Sequence, residues 1–301
     1  MATVAFVGAG DIGGATAQAL ASCDQVHRVW LVDATSGAAA GKALDLQQAG
    51  ALAHQHARLD GTSDENKLIG CAVCVIADCF AVTSERHAGE WRSGEEQHGQ
   101  CQTGEWNGDE GLSMLGRITR YIGNAPIVFA GASHAELLSR LAGETQIRRE
   151  RLIGSSTDAL VSALTAIVAM EAGCSPREVM LTALGAPPNG FVVPWSEASI
   201  GGYAIQRVLS QVQLRRVEAR VARLWPPGPY ALGAAAARVT DAILSNSRQS
   251  FSIITQLEGE FGLKRRPGTL PARLAAGGIA RVRVPELGTR EHVRLQTVLG
   301  G

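Results

Sequence analysis

The chain has 301 residues, and its 28 basic and 28 acidic side chains leave no formal net charge. No overall field therefore draws it to nucleic acid or to an anionic membrane surface. Its hydrophobic share of 46% supports a large core, but no apolar run approaches the ~18 residues of a membrane span. Met1 leads into a core strand without a charged leader, so the expectation is a soluble, cytoplasmic protein with no membrane partner. Six cysteines in such a chain point to reduced thiols rather than a disulfide framework.

The first strong pattern is Val4-Ala5-Phe6-Val7, a buried strand, running into Gly8-Ala9-Gly10-Asp11-Ile12-Gly13 and an alanine-rich helix. Gly8 permits a tight turn, Gly10 lets the backbone approach a diphosphate, and Gly13 lets the helix lie close to the strand. The free amides that open the helix then face the anion. A second strand, Val26 to Val32, ends on Asp33, twenty residues after Gly13. A carboxylate there accepts hydrogen bonds from an adenosine ribose and repels a 2′-phosphate, which favours NAD over NADP. An empty βα turn also needs small residues, but strand, turn, helix, strand and acid occur here in order. They predict a dinucleotide site at Gly8, Gly10, Asp11, Ile12, Gly13 and Asp33.

Helical spacing returns in Gly41-Lys42-Ala43-Leu44-Asp45-Leu46, and after a polar stretch Ala72 to Ile76 reads as a buried strand. The β-α-β-α-β pattern implies a parallel sheet. Cys71 and Cys74 have CxxC spacing, yet residues three apart on a strand point to opposite faces, so they read as core.

From Phe80 to Glu110 neither period is present, five glycines recur and charge is dense. A loop this long is functional or disordered as a rule. Its Arg86, His87, Arg92 and His98 can bring an acid/base group and an anion clamp over a cofactor, as lids do. Its polar, glycine-spaced composition favours the plainer reading of a solvated insertion. His87, His98, Cys79 and Cys101 are zinc-type ligands, but their spacing matches no compact motif, so no metal is expected.

A helix at about Leu112 to Ile122, a strand Ile127 to Ala130, a helix Ala135 to Ala142 and a strand Leu152 to Gly154 complete the first half. The second half opens with a helix after Ser155-Ser156-Thr157, running to about Ala172 and stopped by Gly173. A strand Val179 to Leu184, a long amphipathic helix Ile200 to Trp225 halted by Pro226-Pro227, and a helix Leu232 to Leu244 follow. Strands Phe251 to Leu257, Thr269 to Leu274 and Ala280 to Val284 come next, with a hairpin at Gly277-Gly278 and a helix Arg290 to Leu299 capped by Thr289. The expected fold class is α/β: an N-terminal Rossmann-type doubly wound parallel sheet (1–154, with the 80–110 loop inserted) plus a C-terminal mixed α+β domain (155–301).

Asp45 and Asp241 have no neighbouring His or Arg pattern and read as surface or capping charges, His54 and His56 read as solvated positions, and the arginines 215, 216, 220 and 223, at i,i+4 spacing with Glu218 and its surroundings, read as a solvated or subunit-facing stripe.

Taken in order, these residues resemble the lactate/malate dehydrogenase family. The likeness rests on the glycine fingerprint, Leu31-Val32-Asp33, residues 41–46, Leu152-Ile153-Gly154-Ser155-Ser156-Thr157 as the domain junction, Gly233-Ala234-Ala235-Ala236-Ala237, and Leu257-Glu258-Gly259-Glu260-Phe261-Gly262. It implies the family's fold, NAD, a small 2-oxo or 2-hydroxy acid as substrate, and a homodimer or homotetramer.

The resemblance also implies where the chemistry belongs, and there the chain departs from it. The family's catalytic His falls at Pro187, its Asp partner at Leu160, its carboxylate-binding Arg at Ala163, and its nicotinamide Asn at Ser133. Asn107-Gly108-Asp109-Glu110 stands where the loop arginines belong, and Asp78-Cys79 replaces the small pair under the cofactor diphosphate. Without an acid/base and an anion clamp, turnover of lactate or malate by the family route is not expected. The alternatives are an inactive scaffold with a structural or interaction role, or a dehydrogenase of changed substrate that uses the 80–110 loop. Asp78 makes NAD binding conditional.

Overall fold

The computed structural model describes residues 1–53, 55–80, 104–221 and 223–300. The first half alternates as expected: β1 (Ala2–Val7), α1 (Asp11–Leu20), β2 (Val26–Val32), α2 (Ser36–Leu52), β3 (Arg58–Thr62), β4 (Val73–Ile76), α3 (Gly108–Ile118), β5 (Ile127–Phe129), α4 (His134–Glu144) and β6 (Leu152–Gly154). The second half contains α5 (Ser156–Ala172), β7 (Val179–Met180), β8 (Leu184–Gly185), β9 (Phe191–Val192), β10 (Ser199–Ile200), β11 (Tyr203–Ala204), α6 (Ile205–Val208), α7 (Gln211–Val221), α8 (Pro229–Leu244), β12 (Ser250–Glu258), β13 (Lys264–Ala275), β14 (Gly278–Val282) and α9 (Thr289–Gly300).

The main sheet runs β3-β2-β1-β4-β5-β6-β12-β13-β8-β9, with β14 on β13. Its first six strands are parallel, and β12 joins β6 antiparallel through Ile254 and Gly154. The sheet therefore passes residue 154 without a break. Strand alternation divides the core between its two faces. Val4 and Phe6 face the layer with α1, α2 and α8, while Ala5, Val7, Ile76 and Phe129 face α3, α4 and Trp106. Among the described residues no helix is long and apolar enough to cross a membrane.

Five expectations need correction. The polar stretch before β4 contains β3, an edge strand that buries little beyond Leu59 and so shows no alternation. The single long helix expected over Ile200 to Trp225 is replaced by β10, β11, the four-residue α6 and then α7, which runs only from Gln211 to Val221. Gly201 and Gly202, both at positive φ, turn the chain between β10 and β11, which pair antiparallel. The strand expected over Val179 to Leu184 is split, β7 joining β10 in a three-stranded sheet and β8 joining β13. Finally, α3 starts at Gly108 rather than Leu112, and Thr289 lies inside α9 rather than before it.

Candidate functional site

The carboxyl ends of the parallel strands meet at the first βα turn, where such sheets bind nucleotides. Gly8 has φ +96°, so the turn expected of it is present, and a side chain there would strike the backbone of Asp78. A Cβ on Gly13 would strike the Gly8 carbonyl, so this glycine lets α1 lie against the turn as expected. Asp33 is buried at the end of β2, and its carboxylate accepts from the Ala9 amide at 3.1 Å and the Thr35 amide at 3.2 Å. Asp11 is exposed in the first turn of α1, and Ile12 is buried.

The role expected of Gly10 is filled from within the chain. A Cβ on Gly10 would lie 2.5 Å from the Asp78 carboxyl carbon. Asp78, 7% exposed, takes the first amides of α1: the Ile12 N–H donates to Oδ1 at 3.2 Å and the Gly13 N–H to Oδ2 at 2.7 Å. Burial pushes the Asp78 carboxyl above its ordinary range; the two amides oppose this, and the negative charges of Asp11 and Glu105 add to it. The register explains the reach. β1 and β4 are neighbours with Val7 opposite Ile76, so two residues beyond β4 the side chain stands over the turn that follows β1.

A second carboxylate does the same at the next helix. Glu105, 5% exposed, accepts from the Ala132 amide at 3.0 Å, the Ser133 amide at 2.7 Å and the Ser133 hydroxyl at 2.6 Å, at the start of α4. The ends of the long loop are tied beside it. The Cys79 N–H donates to the Gly104 carbonyl at 2.7 Å, and Phe80 packs edge-on against Trp106 at 4.9 Å. His134 is buried behind Ser133. Its Nδ1 accepts from the Gly131 amide at 3.0 Å, and burial pulls its pKa down to about 4 against the opposing charge of Glu105.

The expected site residues thus fall into three groups. Gly8, Gly10, Asp11, Ile12, Gly13 and Asp33 converge on one turn, and Ser133 lies at the second helix start, bonded to Glu105. Arg86, His87, Arg92, His98 and Cys101 lie outside the described residues, as does His54. Leu160 and Pro187 are buried and Ala163 is half-buried. The carboxylate that α5 does supply is Asp158, paired with Arg238 at 3.2 Å and pushed up to about 6 by burial, with Arg238 opposing. Two residues before Leu160 it points to the opposite side of the helix, so it does not stand in for an acid at 160. Cys71 and Cys74 are free, buried thiols. Burial pushes Cys71 up to about 11 and raises Cys74 well above the ordinary thiol value.

Sequence reasoning missed Glu105, Trp106 and His134 as parts of the cleft. The one available signal was Phe80 and Trp106, apolar aromatics bracketing an otherwise polar segment.

A dinucleotide fits this cleft in part. The Gly8 turn and Asp33 suit an adenosine ribose, whereas the amides that a diphosphate needs are bonded to Asp78. Two cavities of about 390 and 430 Å³ open at the other end of the sheet, around Met1, His27 and the start of β1, away from the turn.

Residues 2–93 match the sequence model of the lactate/malate dehydrogenase NAD binding domain. Similar curated proteins include the malate dehydrogenases of Cytophaga hutchinsonii, 25% identical over 98% of this chain and 93% of that protein, and of Methanosarcina mazei, 26% identical over 94% and 91%. Solved structures with the same fold include the Salinibacter ruber malate dehydrogenase, with TM-score 0.81, 22% identity, and coverage of 99% of this chain and 94% of that one. The Cryptosporidium parvum lactate dehydrogenase complexed with lactic acid and NAD has TM-score 0.82 and 18% identity, over 98% and 93% of the two chains. The β1-α1-β2 turn with Asp33, the order of strands around it and these likenesses over nearly the full length agree: residues 2–93 are similar to the NAD binding domain of lactate/malate dehydrogenases, and the chain as a whole is similar to malate dehydrogenases and shares their fold.

Proposed function

We propose that this chain keeps the family's NAD-binding scaffold without its route for hydride transfer to lactate or malate. One observation carries the reading: the three positions where the resemblance implies acid, base and clamp hold Leu160, Ala163 and Pro187, two of them buried. None of these side chains can move a proton or pair with a substrate carboxylate. An acid/base group alone is worth roughly 10²–10⁴-fold in rate, and removing the anion clamp adds to that loss. The scaffold then acts through its surfaces and assembly, as a cytoplasmic homodimer or homotetramer. Residues 1–154 serve as the nucleotide unit and 155–301 as the second unit. Exposed Leu44 and Leu52 on α2 are among the apolar side chains that such an interface could cover.

The test is an NADH oxidation assay on the full chain with oxaloacetate, pyruvate and a panel of other 2-oxo acids. The expected result is no turnover above the protein-free control. Turnover that disappears in His87→Ala or His98→Ala would overturn the reading and place a changed active site in the 80–110 loop.

A further inference from the structure

We infer that Asp78 is a specificity residue acting as a built-in substitute for the diphosphate, so that the cleft discriminates against dinucleotides at the one place where the family's fold grips them. The inference deepens the scaffold reading above and rests on it.

The competition is for the same atoms. A diphosphate on this turn needs the amides that open α1, and the Ile12 and Gly13 amides already donate to the two oxygens of one carboxylate. The room made by the missing Cβ of Gly10 is filled by the Asp78 carboxyl group, and a Cβ on Gly13 would lie 3.1 Å from its Oδ2. The glycines that would admit a diphosphate thus admit Asp78.

Its position is fixed by backbone on both sides. The Ala77 N–H donates to the Val7 carbonyl at 3.0 Å and the Cys79 N–H to the Gly104 carbonyl at 2.7 Å. The side chain therefore needs no long excursion to reach α1. Among the described residues, the charges that face Asp78 do not invite an anion either. Asp11 and Glu105 face Asp78 with the same sign, and Asp33 lies across the turn on the Ala9 amide. Lys42 of α2 runs instead beside Gly14, one residue further along α1. A diphosphate brought against a fixed carboxylate at ~4 Å, partly screened, loses about tenfold or more in affinity through repulsion alone. It also forgoes the amide bonds.

The experiment is binding, not turnover. NADH is titrated into the full chain by nicotinamide fluorescence, and ADP-ribose and adenosine by calorimetry, with wild type, Asp78→Ala and Asp78→Asn. ADP-ribose is expected to bind wild type no more than about threefold tighter than adenosine, because the Ile12 and Gly13 amides are already bonded to Asp78 and its charge repels the diphosphate. Asp78→Ala is expected to tighten NADH and ADP-ribose by at least about tenfold and to leave adenosine unchanged. Asp78→Asn removes the charge at nearly constant volume, so it gives the same direction if the alanine variant does not fold. Wild type that binds ADP-ribose at least about tenfold tighter than adenosine, or variants that leave NADH affinity where it was, overturn the inference. Tight NADH binding by wild type without turnover sinks this inference and leaves the scaffold reading standing, while turnover by wild type sinks that reading instead.

Discussion

Glu105 is the side chain whose removal tests the construction of the cleft most directly. It is 5% exposed and accepts three hydrogen bonds at the start of α4, two from amides and one from the Ser133 hydroxyl. Ser133, the residue before α4, makes no capping bond with its own side chain, so Glu105 does that work from across the cleft. In Glu105→Ala the Ala132 amide is left without a partner in a residue only 7% exposed, which costs ~1–3 kcal/mol. Ser133 is exposed and can turn to water, so its loss is the smaller one, within the ~0.5–2 kcal/mol of a missing helix cap. Together these give a destabilisation of about 1.5–5 kcal/mol. Glu105→Gln keeps the volume and one acceptor and should cost about 1 kcal/mol. Urea unfolding of the full chain followed by circular dichroism, with the slope compared between variants, measures both. A Glu105→Ala variant within ~0.5 kcal/mol of wild type at unchanged slope, the range of an ordinary surface substitution, would refute the claim that this carboxylate caps α4.

Two further outcomes follow from the same geometry. Gly13→Ala places a Cβ against the Gly8 carbonyl, a backbone neighbour that cannot move aside. It should destabilise by roughly 1–3 kcal/mol, read as a fall in the urea midpoint, whereas Gly37→Ala in α2, with open space around it, should not. His134 is buried with its pKa pulled from 6.5 down to about 4. A folded value below the unfolded one means the unfolded chain takes the proton first, so the stability is full above pH 6.5 and is lost as the pH falls from there to about 4. The loss is at most roughly 3 kcal/mol. Urea midpoints measured across that range should decline in wild type and decline less in His134→Gln; parallel curves for the two proteins would remove His134 as the cause.

What could be read from the sequence followed how much of each element is buried on its own. β2 and β6 begin and end where the apolar runs do, and α5 stops at Gly173 because that residue adopts φ 67°, which glycine reaches without penalty. β3 could not be seen, since an edge strand that buries little beyond Leu59 has no alternation to show. The segment 200–225 carries apolar residues at helical spacing, but two of them, Ile200 and Ile205, reach the same core from a strand and a short helix on either side of a glycine turn. Periodicity records which residues are buried and not which path the chain takes between them. Glu105 was illegible for a different reason. Its partners lie 27 and 28 residues away, and only the fold brings them together.

Asp78 shows the limit of reasoning from a motif alone. Beside a glycine fingerprint it reads as an obstacle, one negative charge too close to a diphosphate. In the structure it is the acceptor that α1 lacks, for Gly10 precedes the helix with no side chain of its own to cap it. α4 is in the same position, with Glu105 supplying the acceptor. A helix start needs acceptors for its first amides whether or not a ligand is present, and a negative charge there also meets the positive end of the helix dipole. Two helices in one cleft meet both needs with this chain's own carboxylates, which leaves these helix-start amides bonded when no cofactor is bound. Stability and affinity should therefore move in opposite directions in Asp78→Ala. The variant should lose stability by the order of a helix cap, ~0.5–2 kcal/mol, and gain affinity for the diphosphate. A carboxylate that merely sat near the site would change one without the other.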